Sequence, residues 1–297
     1  MNLTYSEFEV LTTIEKMKQK MSQRKISELT DLSLGTVNKV VTDLYNNGLI
    51  DDNNIITKKG LKMLQPYRVK RAIFLAAGFG SRMVPITLNT PKPLVLVHGK
   101  KLIETLLDAC VEAEIEDIVI VTGYLSDQFD ILLKKYPNIK FVKNEKYNEA
   151  NNISSAYLVR DLFDNAYVLE SDLFLYNKNL IRKYEYQSNF LGKWVDRTDD
   201  WCFEVKNGVV TNQKIGGYNC YQMYGISYYS GEYQKQIEKD IEMVFNSPGG
   251  KEKYWEQVLL DVCKNNYKIY VRECREGDII EIDTFNELKQ IDKTYDV

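Results

Sequence analysis

The chain has 297 residues, of which 44% are hydrophobic and 27% charged, with a net charge of −3 and a mean hydropathy of −0.36. Length and composition suit about two soluble globular domains; with no run of 18 apolar residues and the polar start MNLTYSEFEV, no membrane span and a cytoplasmic protein are expected. The cysteines (Cys110, Cys202, Cys220, Cys263, Cys274) are odd in number and scattered, which argues against a disulfide framework or a zinc site, and the single histidine, His98, reads as a turn residue. Chemistry must therefore run on carboxylates, lysine, arginine and a metal.

Residues 1–66 read as a small helical unit with a short hairpin. Phe8, Val10, Leu11 and Ile14 recur at helical spacing over Ser6 to Gln19, Ser22 caps a helix through Leu29, and Ser33 caps a third helix that Gly48 ends. Leu49-Ile50 and Ile55-Ile56 then flank the polar turn 51–54, and a last helix starts at Thr57. This order resembles the winged helix-turn-helix of bacterial regulators, and the likeness implies DNA contacts from Ser33, Thr36, Asn38 and Lys39. Up to Val69 the chain carries ten Lys+Arg against eight Asp+Glu, a modest surplus for binding phosphates, so a dimerisation or regulatory module is the alternative. A homodimer is compatible with either.

From Arg71 strands and helices alternate: strand 72–76, helix 102–113, strand 117–122, helix 126–135, strand 139–143, helix 153–162 and strand 166–170. The alternation predicts an α/β domain over 70–297, a mostly parallel, Rossmann-like sheet with its ligand at the carboxyl ends of the strands. After the first strand Gly78-Phe79-Gly80-Ser81-Arg82 forms a turn whose backbone N–H groups can approach an anion, because glycine has no Cβ in the way. Lys92 stands between Pro91 and Pro93, which stiffen the backbone that presents its ammonium.

The run from Gly78 to Pro93 resembles the signature G-x-G-x-R-x-x-P-x-T-x-x-x-P-K-P of the nucleotidyltransferases that activate sugar phosphates and alcohol phosphates, matching at Gly78, Gly80, Arg82, Pro85, Thr87, Pro91, Lys92 and Pro93. The resemblance implies a GT-A-like fold, a nucleotide held by Ala76, Ala77, Gly78, Phe79, Gly80 and Ser81, and catalytic roles for Arg82 and Lys92. Two aspartates stand where such a site needs them: Asp172 follows the strand ending at Glu170, and Asp283 follows Ile279 to Ile282, where alternation puts Glu281 and Asp283 on one face. By the likeness they hold Mg²⁺, although Asp283 can also be read as a helix cap. Asn152 and Ser154, opening a helix, are candidates for base or ribose contacts.

Residues 184–233 are dense in aromatics, and ring faces attract quaternary ammonium groups. Together with NNISSAYLVRDLFDNAYVLESDLFL, Tyr254-Trp255-Glu256 and the ending IYVRECREGDIIEIDTFNELKQI, this part resembles the bacterial CTP:phosphocholine cytidylyltransferases from about Lys70 to Ile291. The likeness implies a choline pocket from Trp201, Trp255, Trp194 and Tyr228, with Glu204 or Glu256 near the ammonium. It also implies in-line attack of phosphocholine on the α-phosphate of CTP, giving CDP-choline and pyrophosphate. Transfer to a sugar-1-phosphate, aminoethylphosphonate or phosphoethanolamine stays open, as does a transcriptional regulator that senses CTP or phosphocholine. An N-terminal winged helix departs from the usual pattern of these enzymes.

Overall fold

A computed structural model describes residues 2–296; Met1 and Val297, the outer ends of the two expected domains, lie outside them. The chain divides into two units, one of residues 1–68 with 184–186, the other of 69–183 with 187–297. Among the described residues no helix is long and apolar enough to cross a membrane.

The first unit holds four helices: α1 (Tyr5–Met17), α2 (Gln23–Thr30), α3 (Leu34–Asn46) and α4 (Lys58–Leu64). Each begins at a hydroxyl N-cap: Thr4, Ser22, Ser33 and Thr57 accept backbone N–H groups that the first turn leaves without partners. Thr4 forms a full capping box with Glu7, which sets the start of α1 at Tyr5 instead of Ser6. Ile50 and Ile56 pair as an antiparallel bridge across the wing. The core joins Phe8, Leu11, Ile14, Ile26, Val37, Val41 and Leu44 with Tyr184. Tyr186 lies flat on Tyr67 at 5.6 Å between ring centroids, and its hydroxyl donates to the Leu3 carbonyl oxygen at 2.9 Å.

The second unit begins with β1 (Arg71–Ala76) and continues through β2 (Leu96–Val97), β3 (Lys100–Lys101), α5 (Leu102–Glu112), β4 (Asp117–Thr122), β5 (Ile139–Lys143), α6 (Ile153–Leu158), β6 (Ala166–Glu170) and β7 (Leu173–Leu175). Then come β8 (Asn189–Lys206), β9 (Val209–Tyr229), α7 (Gln234–Phe245), α8 (Trp255–Gln257), β10 (Tyr270–Glu273), β11 (Ile279–Glu281) and α9 (Phe285–Ile291). The main sheet has the order β10-β8-β9-β6-β1-β4-β5. Strands β5, β4, β1 and β6 run parallel, β9 lies antiparallel to β6, and β10 runs parallel to β8. Buried on both faces, β1 feeds Ala72, Phe74 and Ala76 to one core and Ile73 and Leu75 to the other.

Two expected helices differ. Residues Ser126–Lys134 form a 3₁₀ helix, whose period of three puts its two buried side chains, Phe129 and Leu132, on one edge. The helix expected over 153–162 stops at Leu158 and resumes as a 3₁₀ turn Arg160–Leu162, with Val159 at φ −122° between them. The aromatic stretch is a hairpin of two long strands, β8 and β9, turned at Asn207-Gly208, where both residues have positive φ (52° and 77°) as a two-residue type I′ turn demands. Its pairing slips between Thr198 and Trp201, so Asp199 and Asp200 bulge opposite Gly216.

Candidate active site

A cavity of about 350 Å³ opens beyond the carboxyl ends of β1 and β6. The turn after β1 supplies one wall. Gly80 adopts φ 68°, a left-handed conformation that favours glycine, and a Cβ there would press on Lys92 Cβ at 3.1 Å and Thr87 Cγ2 at 3.2 Å. The Thr87 hydroxyl donates to the Gly80 carbonyl oxygen at 2.9 Å, tying the turn to the segment that carries Lys92. Ala76, Ala77, Gly78 and Gly80 line the cavity; Phe79 leans on Tyr124 (4.6 Å, edge to face), and exposed Ser81 is not part of the lining.

At the floor, Lys92 Nζ donates to Asp172 Oδ2 at 2.8 Å and to Asp283 Oδ1 at 2.9 Å, and Arg82 reaches Asp283 Oδ1 at 2.8 Å. Burial by itself would lower the Lys92 pKa, but the charges of Asp172 and Asp283 outweigh it and raise it well above the ordinary lysine value. Asp283 is not the cap of α9. Thr284 is, in a capping box with Glu287, whose Oε2 also accepts the Asp283 backbone N–H at 2.8 Å, so the Asp283 carboxylate is left to face the floor.

Sequence reasoning did not assign roles to Glu170 and Glu281. Glu170, Asp172 and Glu281 each place a carboxylate oxygen within 4.8 Å of the others. Burial, then the negative charge of Asp172, push both glutamates well above the usual carboxylate range. Glu170 has its place because position 225 is glycine: a Cβ there would come within 2.4 Å of Glu170 Oε2. These carboxylates suit a divalent cation. Asp172 Oδ1 is buried without a hydrogen-bond partner, and oxygen ligands of this kind are what Mg²⁺ takes. The sequence signal was present in the alternation of Glu281 with Asp283 and in the short spacing of Glu170 and Asp172.

Asn152 and Ser154 also line the cavity, joined by Asn144, which donates to Ser154 Oγ at 2.9 Å and Ser155 Oγ at 3.0 Å. Of the six residues expected around a choline group, Trp201 and Glu256 line the cavity and the other four do not. Trp255 is 2% exposed and packs against Phe163 and Tyr229 in the core. Tyr228 is buried on the opposite face of β9 from Tyr229, against Tyr167. Trp194 is half exposed beside Tyr221, and Glu204 is paired with Lys214. For Tyr228 the reason is strand alternation, which sends it and Tyr229 to opposite faces; Trp255 opens a helix and turns its ring into the core. In their stead the structure supplies Tyr254, whose ring meets Trp201 edge to face at 5.9 Å; Met223 also lines the cavity, and Tyr147 lines it on the side of Tyr124. The bulge in β8 brings Asp200 with Trp201.

In the first unit, Ser33 accepts the Thr36 N–H and shares a 2.8 Å hydrogen bond with the Thr36 hydroxyl. Asn38 and Lys39 are exposed on α3.

Two family models match, one described as nucleotidyl transferase over residues 71–204 and one as winged helix-turn-helix DNA-binding over residues 3–51. A 2-aminoethylphosphonate cytidylyltransferase of Lancefieldella rimae is 34% identical over 75% of this chain and 92% of its own length. A choline-phosphate cytidylyltransferase of Streptococcus pneumoniae is 33% identical over 75% and 97%. Among solved structures, a CTP:phosphocholine cytidylyltransferase from Streptococcus pneumoniae aligns with a TM-score of 0.71 and 32% identity, covering 76% of this chain and 99% of that one.

Proposed function

The chain belongs to the nucleotidyltransferase family and is a cytidylyltransferase for a phosphate-bearing substrate; from that premise we propose that it transfers CMP from CTP to a small phosphate monoester or phosphonate carrying an ammonium group. Phosphocholine is the acceptor implied by the sequence resemblance, and 2-aminoethylphosphonate, named for a relative of similar identity, is of the same class. The observation that carries the proposal is the charge of the cavity. Six carboxyl groups (Glu170, Asp172, Asp200, Glu256, Glu281, Asp283) line it against two cations, Arg82 and Lys92; Asp172 and Asp283 are paired with those cations and burial favours the neutral forms of Glu170 and Glu281, which leaves Asp200 and Glu256 as the acidic groups without a cation. Such a lining favours cations, and an acceptor with a positive end meets that demand at the wall formed by Trp201, Tyr254, Asp200 and Glu256.

In this reading the backbone of Gly78 and Gly80 and the Arg82 guanidinium hold the triphosphate, with Asn144, Asn152 and Ser154 toward the base and ribose. Lys92 orients the α-phosphate and the incoming oxygen. An acceptor phosphoryl oxygen, already anionic near neutral pH, forms the new P–O bond as the bond to the pyrophosphate oxygen breaks, so no general base is needed. Asp172 and Asp283, with Glu170 and Glu281 beside them, would hold Mg²⁺, which when bound neutralises phosphoryl charge.

The test is pyrophosphate release with Mg²⁺, crossing CTP, UTP, ATP and GTP against phosphocholine, phosphoethanolamine, 2-aminoethylphosphonate and glucose-1-phosphate. Release confined to CTP and the ammonium-bearing acceptors supports the proposal. Preference for glucose-1-phosphate overturns it, and silence with every pair favours a domain that senses these ligands. For α3 we propose duplex DNA contact through Asn38 and Lys39; unchanged affinity for DNA in Lys39→Ala would remove that helix from consideration.

A further inference from the structure

We infer that the acceptor's positive end carries N–H groups, as a primary ammonium does, and that Glu256 selects it over a trimethylammonium; this rests on the cytidylyltransferase reading above. Glu256 lies in α8, which runs directly into a π-helical turn, Val258–Val262, and it lines the cavity while only 2% exposed. Its Oε2 accepts no hydrogen bond. The start of α8 is pinned by the Trp255 N–H, which donates to Asn152 Oδ1 at 2.8 Å, so the element that carries Glu256 is fixed. A buried carboxylate oxygen left without a donor is costly, and a ligand that brings a donor recovers that cost.

A primary ammonium brings three N–H donors, while a trimethylammonium offers only C–H groups and depends on ring faces for its recognition. Ring faces are few here. Trp201 and Tyr254 meet edge to face, an angle of 72°, and Tyr147 is the remaining ring of the lining. Trp255 and Tyr228 are committed to the cores. Asp200, next to Trp201 at the bulge, and Met223 also line the cavity, and neither offers the aromatic surface that a quaternary group needs. A site built to hydrogen-bond its substrate rejects an analogue without the donor far more strongly than an apolar pocket rejects an added methyl.

The experiment measures initial rates on the full chain with CTP and a methylation series: phosphoethanolamine, its N-methyl and N,N-dimethyl derivatives, and phosphocholine. The expected result is that kcat/KM falls as methyls replace hydrogens, by at least about 100-fold across the series. Glu256→Gln is expected to compress that ratio by at least about tenfold, and Glu256→Asp to keep the order of preference. Phosphocholine turning over as well as phosphoethanolamine in the unaltered protein would overturn the inference without any variant. So would a Glu256→Gln protein that loses the same factor on every acceptor. Turnover of a sugar phosphate with none of the four would sink the underlying reading instead, and it shows before Glu256 is altered.

Discussion

Lys92 is the residue on which the floor of the cavity depends, since it holds two aspartates from distant parts of the chain on one nitrogen. Lys92→Ala should keep the fold by circular dichroism and lose at least about a hundredfold in turnover, as loss of one preorganised charge does; near-normal turnover would remove it from the chemistry. Glu256 gives a prediction in pH. Burial lifts its carboxyl from 4.5 to about 7, against the opposing hydrogen bonds of its own backbone amide and Asn152. The folded protein then binds a proton that the unfolded chain releases, so this contribution to stability is complete below pH 4.5 and is lost as pH rises through about 7. Melting of the ligand-free protein at pH 5 and pH 8 should show a larger drop than in Glu256→Gln; equal drops would mean that Glu256 does not titrate in that window. Gly78, Gly80, Arg82 and Lys92 were legible because they belong to a pattern with fixed spacing, and Asp172 and Asp283 because each follows an apolar strand, with their metal role implied by the family likeness. Glu170 and Glu281 each carried a local signal beside an aspartate, but the pairing of β7 with β11 that brings the two ends together is not written in local spacing.

At the scale of elements, caps decide where side chains go. In α9 the Glu287 carboxylate accepts the backbone N–H groups of both Asp283 and Thr284 at 2.8 Å, fixing the approach of Asp283 to Lys92. Glu287→Ala should cost about 1 kcal/mol of stability and lower turnover less than Asp283→Ala does; a Glu287→Ala protein as active as the unaltered one would show that the cap does not position Asp283. The parallel strands were readable to within a residue, because β-branched runs between helical patterns leave little choice. The 3₁₀ form of Ser126–Lys134 was not, since Phe129 and Leu132 are three apart and fit either period. Nor was the reach of β8 and β9, where an Asn-Gly turn and a bulge decide which aromatics meet the cavity.

At the scale of the whole chain, the first unit includes residues 184–186, which follow β7 of the other unit in sequence. Tyr184 is 4% exposed and Tyr186 stacks on Tyr67, so a fragment ending at Arg68 lacks two aromatic members of its own core. Losing a buried ring costs about 3–5 kcal/mol, and the fragment should melt well below the full chain's first unit; equal melting temperatures would mean that these tyrosines add nothing to it. Sequence alone determined the order of the two units, the parallel half of the sheet and the glycine turn with its lysine and aspartates. Those features rest on local patterns: periodicity, caps, turn residues and a motif of fixed spacing. Only the tertiary structure decided that Tyr184 completes the first core, that Glu170 and Glu281 crowd Asp172, and that Trp255 and Tyr228 are packing residues while Tyr254 and Glu256 face the cavity. For Glu170, Glu281 and Tyr228 the deciding factor is strand pairing and the face a strand residue occupies, where one residue of slip reverses the face without changing the composition; for Tyr184 and for Tyr254 to Glu256 it is which distant segment packs against them, and local patterns do not encode that.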